Sequence, residues 1–130
     1  MRVVFDTNIF ISALSIPGSS AEKAMLKVIE GGDILIISTD IIHEVLSVLS
    51  SKFSRDKEGL SHVAVILSEL GELVKPTQKL KIFKQGPDNR ILECAIQGKA
   101  HVLVTGDKEM LQLREYKSVR IISLKEYIGS

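Results

Sequence analysis

Val3-Val4-Phe5-Asp6-Thr7-Asn8 decides the fold when set beside Val102-Leu103-Val104-Thr105-Gly106-Asp107, near the other end of the chain. Each is a short run of β-branched and apolar residues that gives way to an aspartate. Such a run reads as a strand buried on both faces, as in a parallel sheet. In an open α/β sheet, ligands bind outside the carboxyl ends of the strands, where the strand order reverses. If the two strands lie side by side, Asp6 and Asp107 reach that crevice together. Carboxylates gathered there without matching cations point to a divalent metal.

Strand-like and helical patterns alternate along the whole chain, with no linker or repeat. Residues 3–5 form the first strand. Ser19 or Ser20 caps a helix whose inner face carries Ala21, Ala24, Met25, Val28 and Ile29, ended by Gly31-Gly32. A second strand spans 34–37. Ser38 or Thr39 then caps a helix with Ile41, Ile42, Val45, Leu46 and Leu49 at core spacing. Beyond the polar Ser54-Arg55-Asp56, another helix presents Val63, Ile66, Leu67 and Leu70 and stops at Gly71. Leu73-Val74 leads into a short third strand, which Pro76 ends or edges. Gly86-Pro87-Asp88 opens a helix with Ile91, Leu92, Ala95 and Ile96 inside. The fourth and fifth strands span 102–104 and 119–122, each followed by a short helix. The pattern predicts one α/β domain over 1–130, a three-layer α/β/α sandwich around a mainly parallel sheet of about five strands.

The composition suits that reading. Hydrophobic residues at 45% and charged residues at 25% describe a globular domain and exclude a disordered one. The acid at position 6 comes too early for a signal peptide, and no apolar run reaches membrane-spanning length. A soluble, cytoplasmic protein is expected. The lone Cys94 excludes an internal disulfide, and its helical neighbours make it a small buried thiol. Net charge is +1, so no overall field draws the chain to nucleic acid. One basic segment stands out: Lys75, Lys79, Lys81 and Lys84. It reads either as solvated strand and loop or as a phosphate-binding strip.

Four acids stand out by position: Asp6, Glu44, Asp88 and Asp107. Each has a plain structural alternative. Asp6, Asp88 and Asp107 could cap the helices that follow them, and Glu44 could be a solvated helix residue. As a set they gain weight, because all four belong at the same edge of the sheet. Four carboxylates in one crevice raise each other's pKa, a cost that a bound cation removes. Oxygen ligands favour Mg²⁺ or Mn²⁺, and His43, His62 and His101 do not form a zinc pattern. Such ions suit phosphodiester hydrolysis, activating water and steadying the leaving oxygen. No P-loop or GxGxxG fingerprint is present.

Asp6-Thr7-Asn8, Ile42-His43-Glu44-Val45, Asp88-Asn89-Arg90-Ile91-Leu92-Glu93-Cys94-Ala95 and Val104-Thr105-Gly106-Asp107 together resemble the PIN-domain nucleases. The likeness covers almost the whole chain and is nearest to the single-domain VapC-type toxins of toxin–antitoxin pairs. It implies a PIN-like fold and metal-dependent cleavage of RNA. It makes Asp6, Glu44, Asp88 and Asp107 the catalytic acids, with the metal, Mg²⁺ or Mn²⁺, held by Asp6, Asp88 and Asp107. Asn8 and Thr105 become supporting residues. Glu109 stands where many relatives carry an aspartate. The likeness also implies a homodimer silenced by an antitoxin protein. A DNA flap or end nuclease would need the same carboxylates. A catalytically silent binding module, or a phospho-accepting receiver, is the reading from another class. The receiver is disfavoured because no clear aspartate ends a middle strand.

Overall fold

The fold is described from a computed structural model that covers residues 1–53 and 56–130; Ser54 and Arg55 of the polar stretch lie outside the described residues. Its strands are β1 (Arg2–Phe5), β2 (Ile34–Ser38), β3 (Glu72–Val74), β4 (Val102–Val104), β5 (Glu115–Tyr116) and β6 (Val119–Ile122). Its helices are α1 (Thr7–Ser15), α2 (Ser20–Gly31), α3 (Thr39–Lys52), α4 (Lys57–Leu70), α5 (Gly86–Gln97), α6 (Lys108–Leu113) and α7 (Leu124–Gly129).

The six strands form one sheet in the order β3-β2-β1-β4-β6-β5. All neighbours are parallel except β5 and β6. The five expected strands are therefore present, and β5 adds a two-residue antiparallel edge. Its turn, Lys117-Ser118, has positive φ at both residues (45° and 72°). That is the geometry of a tight two-residue hairpin, here without the glycine or asparagine that usually announces one.

Successive strand residues point to opposite faces of a sheet. Val3, Val4 and Phe5 are all fully buried, as are Ile36 and Ile37, so both faces are covered by helices. The rings of Phe10 and Tyr127 pack against Phe5 at 5.8 and 5.7 Å between centroids, tying α1 and α7 to β1. Close approach of α5 to the sheet requires Gly98: a Cβ there would run into Cγ2 of Ile36. Full burial of one such aliphatic side chain contributes about 1.5–3 kcal/mol.

Most of the expected inner faces are buried. Ile29 is not: it is 53% exposed and lies off the stripe made by Ala21, Ala24, Met25 and Val28. Leu70, in the last turn of α4, is also partly exposed, at 37%. Cys94 is fully buried, and burial pushes its thiol up to about 12, so it is a packing residue. Among the described residues, no helix is long and apolar enough to cross a membrane.

The chain moves outward from β1 to β2 and β3, then returns to place β4 on the other side of β1. The strand order thus reverses between β1 and β4. Their registered partners at the carboxyl end are Phe5 and Val104.

Candidate active site

Directly beyond that pair, the N–H of Asp6 donates to the Val104 carbonyl at 2.9 Å, and Thr105 N–H donates to Ile122 at 3.0 Å. These bonds extend the ladder by one residue and fix Asp6 beside Thr105. Thr105, fully buried, donates its hydroxyl to Asp6 Oδ2 at 2.6 Å. The Thr105 hydroxyl oxygen in turn accepts the Asp107 N–H at 3.0 Å. One hydroxyl therefore sets both the rotamer of the first aspartate and the backbone carrying the last.

Asp6 and Asp107 are also helix caps. Asp6 Oδ1 accepts from the Asn8 N–H at 3.2 Å and opens α1; Asp107 Oδ1 accepts from Met110 N–H at 3.0 Å and opens α6. The capping alternative is thus true and compatible with a site, since each cap uses one oxygen. Asp88 is different. The helix starts earlier than its position implies, with Gln85 as the uncapped N-cap, and Asp88 lies inside the first turn of α5. Among the described residues, its carboxylate takes no hydrogen bond or ion pair.

Charge links these residues. Burial, then repulsion from Asp6, Asp107 and Glu109, pushes the Asp88 carboxyl up to about 6. Asp6, only 4% exposed, is also raised, first by burial and further by Asp107; its bonds from Thr105 and Asn8 oppose the shift. The structure thus brings Asp6, Asp88, Asp107 and Glu109 together. Glu109 also accepts a long bond, 3.4 Å, from the Lys84 N–H.

Glu44 stands apart from that group. It lines a neighbouring cleft of about 450 Å³, with Thr7, Asp40, His43, Pro87 and Arg90. This cleft adjoins the acids at Thr7, next to Asp6, and at Pro87, next to Asp88. Asn8 contributes its N–H to Asp6, while its side chain is exposed on a separate groove beside Gly106.

Two residues of the cleft were given no role from the sequence. Asp40 sits one turn before Glu44 on α3 and resembles an ordinary first-turn acid. Thr7 is buried, yet its hydroxyl has no partner among the described residues. A third set is structural: Asn89 and Glu93, both buried, hold the backbone of the segment before α5.

The donor chemistry fits a hard divalent cation: carboxylate oxygens, one with a raised pKa, and no lysine or arginine paired with them among the described residues. No three histidine, cysteine or acidic side chains among the described residues form a ready-made cage.

The PIN domain family model matches residues 2–109, which include all four expected acids and Glu109. An uncharacterized protein of Methanocaldococcus jannaschii is 27% identical, over 96% of this chain and 84% of its own length. Two solved structures share the fold. VapBC2 from Rickettsia felis, bound to a DNA fragment from their promoter, aligns with a TM-score of 0.67 and 19% identity, covering 95% of this chain and 98% of that one. VapBC-1 from nontypeable Haemophilus influenzae gives 0.67 and 17%, covering 96% and 99%. With its acids at the strand-order reversal and the family model spanning most of its length, this chain belongs to the PIN-domain family.

Proposed function

We propose that this protein is a metal-dependent endoribonuclease that hydrolyses phosphodiester bonds of single-stranded RNA, and that it is the toxin of a toxin–antitoxin pair. The observation that supports the chemistry is that Asp6 and Asp107, tied through the Thr105 hydroxyl, stand beyond the ends of β1 and β4, where burial and their repulsion raise the Asp88 carboxyl. Removing that repulsion is worth most when a divalent ion binds.

Asp6, Asp88 and Asp107 would hold Mg²⁺ or Mn²⁺, which supplies Lewis-acid activation of water and of the phosphodiester. The protein's own part is positional. Thr105 fixes Asp6 through Oδ2 and the α1 cap holds its Oδ1, so Asp6 would meet the ion through the remaining lone pairs, while the α6 cap uses only Oδ1 of Asp107. Asp88, its carboxyl raised to about 6, would give up its proton on holding the ion. Glu44 acts from the rim, on the cleft where a strand would lie. Asn8, Thr105 and Glu109 support the set.

The antitoxin reading draws on the fold shared with the two VapBC structures. An antitoxin would silence the enzyme by covering the acids. A homodimer is part of this reading, formed through α3 and α4, where Phe53, Val65 and Leu70 leave apolar surface exposed. Sedimentation showing only monomer at micromolar concentration would contradict it. The activity is tested by incubating labelled single-stranded RNA and DNA with Mg²⁺, Mn²⁺ or EDTA. Metal-dependent cutting of RNA is expected; cutting of DNA alone would move the assignment to a DNA nuclease of the same fold.

A further inference from the structure

The irregular segment between β3 and α5 is a strap laid along that helix. Gln97, Glu93 and Asn89 are spaced four residues apart on α5 and so share one face. Gln97 Oε1 accepts from the N–H and hydroxyl of Thr77, both at 3.3 Å. Glu93 Oε2 accepts the Leu80 N–H at 2.8 Å. Asn89 Oδ1 accepts the N–H groups of Ile82 and Phe83 at 2.9 and 2.8 Å, and its amide donates back to the Phe83 carbonyl at 2.9 Å. Arg90 pairs with Glu93 at 2.7 Å and donates to the Leu80 carbonyl at 3.3 Å. The strap therefore runs antiparallel to α5 and ends where Asp88 begins the site.

This anchoring uses the strap's backbone and leaves its charges free. Lys75, Lys79, Lys81 and Lys84 are all exposed, and among the described residues none has an ion pair or hydrogen bond through its ammonium group. Residues 75–84 contain no acid, and removing these four charges from the net +1 leaves −3 on the rest of the chain. The strap is thus a fixed cationic track on an otherwise acidic protein, about 12 Å long between the levels of Gln97 and Asn89.

We propose that the phosphate backbone of a single-stranded nucleic acid follows this strap, from the β3 edge to the carboxylates. The proposal rests on the nuclease reading and names the surface that guides its substrate. A disordered lysine-rich loop would lose side-chain and backbone freedom on binding; a strap already fixed by α5 loses less.

The test is binding of a fluorescent uridine oligonucleotide across a salt series, with EDTA present so that nothing is cut. Each phosphate contact to a single strand contributes about 0.7 to the slope of log affinity against log salt. K79Q/K81Q/K84Q should lower that slope by about 2 and weaken binding at least tenfold at low salt. Each single variant should remove a part of it. A control with the same charge change elsewhere, K23Q/K57Q/K125Q, should keep the wild-type slope. Equal slopes for the two triple variants would overturn the track while leaving the nuclease reading standing. If wild type binds no single strand at any salt concentration, the track falls, while cutting of RNA in Mn²⁺ decides the nuclease reading separately.

Discussion

The Thr105 hydroxyl donates to Asp6 at 2.6 Å while accepting the Asp107 N–H at 3.0 Å, so one buried oxygen ties together the two ends of the site. Thr105→Val keeps the shape and removes both bonds. It leaves the Asp107 N–H without its acceptor, at a stability cost of about 1–3 kcal/mol. Activity should fall further than stability, because Asp6 loses its rotamer. Thr105→Ser restores the oxygen and should restore most activity. Equal nuclease rates for wild type and Thr105→Val would show that the bond does not position Asp6.

Divalent metal should stabilise the fold by mass action, since only the native state assembles the carboxylates. At a hundredfold excess over Kd the gain is about 2.7 kcal/mol, or roughly 10 °C in melting temperature. Asp6→Asn keeps a residue able to cap α1 and should abolish the rise. The same Mn²⁺ shift in both proteins would place the metal elsewhere.

The raised Asp88 carboxyl makes metal-free stability fall with pH. Its native value is about 6, against about 3.9 for an unfolded aspartate. Between those values the native state holds more protons than the unfolded one, so stability declines as pH rises through this window and levels off above it. Asp6, shifted the same way, adds to the trend. Melting curves of Asp88→Asn in EDTA should show a shallower decline and a higher melting temperature at pH 7. Metal affinity should rise with pH up to about 6 and then flatten, with proton release on binding. Affinity independent of pH from 5 to 7 would show that Asp88 is not a ligand.

Glu44 lies on the cleft and not among the coupled acids, so its loss should damage turnover more than binding of the first ion. We expect Glu44→Gln to lower the cleavage rate roughly ten- to hundredfold, the range for groups acting through a metal's outer shell. Calorimetry showing no metal binding by this variant would contradict that division.

What the sequence discloses follows from which interactions are local. Asp6 and Asp107 were legible because an apolar run gives way to each, and Ser19 and Ser38 because a cap lies next to the helix it opens. Asp88 was expected as a possible helix cap but lies within the first turn without capping it, since Gly86-Pro87 starts the helix earlier. β5 was hidden because its hairpin turn uses Lys117-Ser118 in place of the usual residues. The strap was hidden for another reason. Asn89, Glu93 and Gln97 bind backbone groups of residues 77–83, and backbone partners leave no mark in a sequence.

The central claim, metal-assisted hydrolysis at Asp6, Asp88 and Asp107, is tested most directly by the ends of cut RNA. Single-stranded RNA is incubated with wild type or Asp88→Asn in Mn²⁺ and in EDTA, and the new termini are analysed. Attack by water predicts cutting in Mn²⁺ only, loss of cutting in Asp88→Asn, and termini free of 2′,3′-cyclic phosphate. Cutting that persists in EDTA and leaves cyclic phosphate would mean attack by the RNA's own 2′-hydroxyl, and would contradict the account.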